Sequence, residues 1–167
     1  MIDQIEKSGL PPSVLCFELT ETATIGNLAK AQEFILTLQN LGCQFALDDF
    51  GTGVSSLAYL KDLSVNYLKI DGSFVRDSVL NARSDSMIKA IAQLAKVMCM
   101  ETIAEYVETD NLRVKMTELG VDYGQGFAMG KSQPLVELLR ELAIYEATVS
   151  TWDLSGGSVP AEVERTS

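Results

Sequence analysis

Apolar residues follow two patterns along this chain: short continuous runs, and longer stretches in which they recur every three or four positions. The runs predict strands at Val14-Leu15-Cys16-Phe17, Cys43 to Leu47, Tyr67 to Asp71, Cys99 to Ala104 and Val121 to Gly124. The periodic stretches predict helices between them. One starts at Asn27 and carries Ala31, Phe34, Ile35, Leu38 and Leu41 to a stop at Gly42; a short one holds Leu57, Leu60 and Leu63. A third puts Met87, Ile91, Leu94 and Met98 on one stripe, and a fourth, capped by Thr109 and ended by Gly120, turns Leu112, Met116 and Leu119 inward. Ser132 and Pro134 open a last helix with Leu135, Leu138, Leu139 and Leu142, and Met1 to Lys7 reads as the end of a helix broken at Gly9, Pro11 and Pro12. After Val149 the periodicity vanishes, so residues 150–167 are expected to be a disordered tail.

Strands that alternate with helices imply a parallel sheet, because parallel strands need crossovers of this length. In such sheets the site lies beyond the carboxyl ends of the strands. Here those ends carry Glu18, the pair Asp48-Asp49, Lys69 with Asp71, Glu105 with Glu108, and Gln125. The pair is followed by Phe50-Gly51-Thr52-Gly53-Val54-Ser55-Ser56, whose Gly, Thr and Ser are also ordinary turn residues. Lys69 and Asp71 share a face by the period of two, and a salt bridge between Lys69 and a rim carboxylate is the structural alternative to a catalytic role. For Glu21 and Glu108 a helix-start or loop-orienting role is the simpler reading, and Gln125 suits either a ligand contact or a turn hydrogen bond.

Composition narrows the chemistry. The 167 residues hold no histidine, which removes Ser-His-Asp and Cys-His catalysis and His-ligated zinc. A net charge of −10 excludes a protein that grips a long nucleic acid through its phosphates. Glu18, Asp48, Asp49 and Glu105 on one rim would repel one another without cations between them, and carboxylate oxygens favour Mg²⁺ or Mn²⁺. Two such ions can polarise a phosphoryl group, generate a hydroxide nucleophile and hold the leaving oxygen. Cys16, Cys43 and Cys99, set among apolar neighbours, are expected to be buried thiols and not a disulfide or zinc set. No apolar run is long enough for a membrane span and no signal peptide opens the chain, so a soluble, cytoplasmic protein is expected.

In order and spacing, Glu18-Leu19-Thr20-Glu21, Asp48-Asp49-Phe50-Gly51-Thr52-Gly53 with Ser55-Ser56, Leu68-Lys69-Ile70-Asp71, Ala104-Glu105-Tyr106-Val107-Glu108 and Gln125-Gly126-Phe127 resemble the later motifs of the EAL-type cyclic di-GMP phosphodiesterases. The resemblance runs from about Gly9 to Leu142. It implies a (β/α)8, TIM-barrel-like α/β fold that cuts one phosphodiester of cyclic di-GMP to give pGpG with Mg²⁺ or Mn²⁺. By the same resemblance Glu18, Asp48, Asp49 and Glu105 are metal ligands, Lys69 and Glu105 are catalytic, and Asp71, Gln125 and Glu108 contact or surround the substrate. Glu21, with Thr52 and Ser56, anchors the loop after Asp49, which in the family couples the active site to dimerisation. The exposed edges of a five-stranded sheet lead to the expectation of a homodimer or other self-association, and the resemblance implies a sensory domain, fused or separate.

Tyr106 stands where the family usually has Gly, and Phe127 where it usually has Tyr. The Glu-Ala-Leu motif that names the family, and an Asn ligand that follows it, would precede Glu18 and are not in these residues. A closed β/α barrel needs eight strands and roughly 200 residues. The five found here are therefore expected to form a partial barrel over residues 1–149, with an apolar interior open to water and little turnover by this chain alone. Two other classes compete. One is a catalytically inactive module that binds cyclic di-GMP or a protein. The other is a five-stranded receiver domain, whose acidic pair belongs on the first strand and whose Lys on the last, unlike Asp48-Asp49 and Lys69 here.

Overall fold

The computed structural model describes residues 1–51, 57–134, 136, 137 and 140, without the side chains of residues 57 and 58. The expected tail, most of the expected last helix, and Thr52 and Ser56 lie outside the described residues. Residues 1–130 form one unit and residues 131–167 another; in the second, the Glu137 N–H donates to the Pro134 carbonyl at 2.9 Å.

In the first unit a helix α1 (Ile2–Ser8) and a 3-10 turn at Pro12–Val14 lead into β1 (Cys16–Thr20), followed by α2 (Glu21–Gly26) and α3 (Leu28–Gln39). Next come β2 (Gln44–Phe50), α4 (Leu57–Leu60), β3 (Tyr67–Ile70), α5 (Gly72–Asp77), α6 (Ala82–Val97), β4 (Glu101–Ala104), α7 (Asp110–Glu118) and β5 (Tyr123–Gly124). All four strand pairings are parallel, and the sheet order is β1-β2-β3-β4-β5. Strands laid down in consecutive order wind in one direction, as those of a β/α barrel do. A receiver domain reverses direction and reads 2-1-3-4-5, so the order excludes that alternative.

The caps read from the sequence are present: the side chains of Asn27 and Thr109 accept from the N–H groups of Lys30 and Leu112. Alternation then sorts the strands into two faces. Phe45, Leu47, Leu68, Ile70 and Ala104 pack in one core with Ile35 and Leu38 of α3, Ile88, Ile91 and Ala95 of α6, and Leu112 and Met116 of α7. Of the α6 stripe read from the sequence, Ile91 is buried and Leu94 and Met98 pack against the core, but Met87 is exposed and Ile88 is buried in its place.

The opposite face carries Cys16, Glu18, Gln44, Ala46, Asp48, Tyr67, Lys69, Glu101, Ile103 and Tyr123. It is mostly polar, contrary to the apolar interior expected from a partial barrel. The Tyr67 hydroxyl donates to Gln44 Oε1 (3.3 Å), the Tyr123 hydroxyl to Glu101 Oε1 (3.2 Å), and the two rings meet edge-on. The cysteine expectation also fails in part. Cys43 is buried, but Cys16 lies on this open face of the edge strand, and Cys99 is exposed in a left-handed turn just after the α6 C-cap.

Candidate active site

An unbroken strand would send the side chains of adjacent residues Asp48 and Asp49 to opposite faces of the sheet. The β2–β3 register prevents this: Leu47 pairs with Leu68 and Phe50 with Ile70, so Asp48 and Asp49 together span the interval that Lys69 spans alone. This is a β-bulge, which places two residues against one and re-aims a side chain. Asp49 takes a left-handed φ of 58°, a conformation that Asp tolerates better than most residues. As a result Asp48, Asp49 and Glu105 each offer a carboxylate oxygen within 4.8 Å of the others.

Lys69 is at the centre, 3% exposed, with Nζ 2.8 Å from Glu105 Oε1, 2.9 Å from Asp48 Oδ1 and 2.9 Å from Glu18 Oε2. Burial pushes its ammonium down, but hydrogen bonds to Glu105, Asp48 and Glu18 more than reverse this, and the group stays charged well above the usual lysine range. Burial raises the Glu105 carboxyl. Lys69 pulls it back, Asp48 and Asp49 push it up again, and the net direction is upward. One ammonium thus contacts three carboxylates, with Asp49 a fourth close to two of them, and the excess negative charge is felt at Glu105. Three carboxylate oxygens gathered within 4.8 Å of one another fit a hard divalent cation. Glu18 is half-exposed and reaches the cluster through Lys69, outside the close trio.

The remaining residues sort differently. Glu21, 2% exposed, caps no strand but begins α2; it accepts the Tyr59 hydroxyl at Oε1 (2.8 Å) and the Gly51 N–H at Oε2 (3.3 Å). It therefore ties α2 to the first residue of the loop after the aspartates. Asp71 caps α5, a helix not foreseen in the sequence, by accepting the Ser73 N–H at 2.8 Å. Glu108 is exposed just before the Thr109 cap of α7. Gln125 is also exposed; its N–H donates to the Ala104 carbonyl and its own carbonyl accepts the Val107 N–H. That turn depends on Gly126, where a Cβ would lie 2.5 Å from the Val107 backbone.

Asp49, Asp71, Glu105, Glu108 and Gln125 line one cavity of about 500 Å³. Arg76, Tyr106 and Phe127 line it as well, and sequence reasoning gave them no role. The available signal was positional: Tyr106 replaces a usual Gly, and its φ of 54° is a conformation that favours Gly.

A family model described as EAL domain matches residues 1–132. Among curated relatives, cyclic di-GMP phosphodiesterase PdeF of Escherichia coli is 45% identical over 128 residues, covering 77% of this chain and 17% of the relative. Cyclic di-GMP phosphodiesterase PdeB of Shewanella oneidensis is 41% identical over 139 residues, covering 81% of this chain and 16% of the relative. The chain thus spans about a sixth of the length of these relatives. The solved structure of PaMucR phosphodiesterase in complex with c-di-GMP matches with a TM-score of 0.77 at 32% identity, over 82% of this chain and 56% of that one. A manganese/cy-diGMP complex of Klebsiella pneumoniae BlrP1 matches with a TM-score of 0.72 at 26% identity, over 78% of this chain and 33% of that one.

Proposed function

The chain belongs to the EAL domain family, and from that premise we propose that its strand ends serve the metal-dependent hydrolysis of cyclic di-GMP to pGpG. The observation that carries this reading is the bulge at Asp48-Asp49, which aims both aspartates at Glu105 around a buried lysine. Asp48, Asp49 and Glu105 would hold a divalent cation, Mg²⁺ or Mn²⁺, with Glu18 beside them; the manganese complex of a relative supports that choice. Such an ion supplies Lewis acidity at a phosphoryl oxygen and lowers the pKa of a water.

The chain's own residues do the rest. Lys69 fixes the positions of three carboxylates and keeps a positive charge among them, which offsets the negative charge gathered at the site. Glu105, its carboxyl raised by burial and by its acidic neighbours, is suited to accept a proton from the attacking water. Asp71, Glu108 and Gln125 border the cavity that receives the nucleotide. Glu21 holds Gly51, where the loop bearing Thr52 and Ser56 begins. The domain limit at residue 149, self-association, a sensory partner and a cytoplasmic location belong to the same proposal; among the described residues no helix is long and apolar enough to cross a membrane.

The test is to incubate the 167-residue chain with cyclic di-GMP and Mn²⁺ and to separate the products by chromatography. Formation of pGpG that disappears in Lys69→Ala supports hydrolysis and overturns the expectation of little turnover by this chain alone. Binding of cyclic di-GMP without pGpG, by protein shown to be folded, moves the function to the non-catalytic binding module. Neither binding nor product refutes both.

A further inference from the structure

Within the cavity bordered by the acidic strand ends, we propose that Arg76, laid on the ring of Tyr106, is the cationic contact for the acceptor edge of the bound dinucleotide and so determines its affinity; this rests on the function proposed above. A cyclic dinucleotide brings two phosphates and several base acceptors into a cavity whose lining includes Asp49, Asp71, Glu105 and Glu108. Lys69 does not line that cavity, and its ammonium is engaged by three carboxylates. Among the described residues Arg76 is the one cation on the cavity wall. No ion pair with a described residue engages its guanidinium.

Three features hold Arg76 there. Its Cζ lies 4.5 Å from the centroid of the Tyr106 ring, within cation–π range. Gly72 and Arg76 are four residues apart on one face of α5, so both face the same ring. At Gly72 a Cβ would collide with Cδ2 of Tyr106, so the absence of a side chain is what lets the ring lie against the helix. Tyr106 also adopts its left-handed φ of 54° although it has a Cβ, a cost that the packing on α5 and the guanidinium offsets. A guanidinium held over a ring through its delocalised charge still has N–H groups to donate to a ligand. The acceptors are either phosphate oxygens or the O6 and N7 of guanine.

The chain is titrated calorimetrically with cyclic di-GMP and, separately, with cyclic di-AMP, in Ca²⁺ buffer. Arg76 is exposed, so Arg76→Ala is expected to fold as the parent does, checked by circular dichroism. The expected result is a loss of about tenfold or more in cyclic di-GMP affinity, as for a lost charge-assisted hydrogen bond. Tyr106→Gly is expected to lose part of this and Tyr106→Phe, which keeps the ring, almost none. An equal loss for both nucleotides assigns the contact to phosphate, and a loss confined to cyclic di-GMP assigns it to guanine. Unchanged cyclic di-GMP affinity in Arg76→Ala overturns the proposal. If the parent chain itself binds neither nucleotide, the proposed function fails instead.

Discussion

Removing the ammonium at the centre of the carboxylate cluster should destabilise the metal-free protein, and a divalent cation should restore part of the loss. In Lys69→Met an unbranched apolar stem is kept without the terminal ammonium, so Glu18, Asp48 and Glu105 lose the charge they share at 2.8–2.9 Å. Two like charges about 4 Å apart repel by about 4 kcal/mol at an effective dielectric constant of about 20. Leaving a buried charge without its partner costs about 3–5 kcal/mol. Glu18 is half-exposed and adds little, and Glu105, already raised, can relieve part of the strain by binding a proton. A net loss of about 2–4 kcal/mol follows, which at about 2–4 °C per kcal/mol lowers Tm by about 4–16 °C. Thermal unfolding followed by circular dichroism in EDTA measures it directly. Adding Mn²⁺ should narrow the gap between variant and parent, because the cation supplies the charge the lysine no longer does. A Tm in EDTA equal to that of the parent, or a gap that Mn²⁺ leaves untouched, refutes this reasoning.

Glu21→Ala removes the acceptor for both the Tyr59 hydroxyl and the Gly51 N–H, so stability should fall by about 1–3 kcal/mol and amide exchange at Gly51 should accelerate. Burial, with the hydrogen bond to Glu21 second, raises the Tyr59 hydroxyl above its ordinary value of 10.0. The neutral phenol is favoured in the folded state, so its contribution is complete below pH 10 and is lost as pH rises through the folded value. Urea unfolding at pH 9 and pH 11 should show a larger drop in the parent than in Tyr59→Phe. Gly126→Ala forces a Cβ into the Val107 backbone at 2.5 Å, which cannot yield as a side chain would, and should cost about 2–4 kcal/mol by denaturant titration.

The strand and helix alternation was legible because the apolar runs, the caps at Asn27 and Thr109 and the stop at Gly42 are local signals. Reading the strand ends also gathered Glu18, Asp48, Lys69 and Glu105, since a parallel sheet delivers its C-terminal residues to one edge. What escaped depends on the third dimension. The bulge that turns Asp49 toward its neighbours is a register fact, and no property of the pair Asp48-Asp49 announces it. Helix α5 is six residues long, too short for periodicity, and its cap Asp71 was read only as a site residue. Met87 and Ile88 are both apolar, and only packing on the sheet decides which of them turns inward. Cys16 and Cys99 have apolar neighbours in sequence but lie on an open sheet face and beyond a helix end. The Arg76–Tyr106 stack joins two elements thirty residues apart and was visible only as a Tyr in place of a usual Gly.

The central claim is that the bulged aspartates and Glu105 form a divalent-cation site. Titrating the chain with Mn²⁺ under electron paramagnetic resonance, where free aqueous Mn²⁺ is counted directly, tests it without reference to turnover. Saturable loss of the free-ion signal, competed by Mg²⁺ and abolished by Asp49→Asn, is the expected result. An identical titration curve for the parent chain and for Asp49→Asn would contradict it, because Mn²⁺ would then be binding elsewhere on an acidic surface.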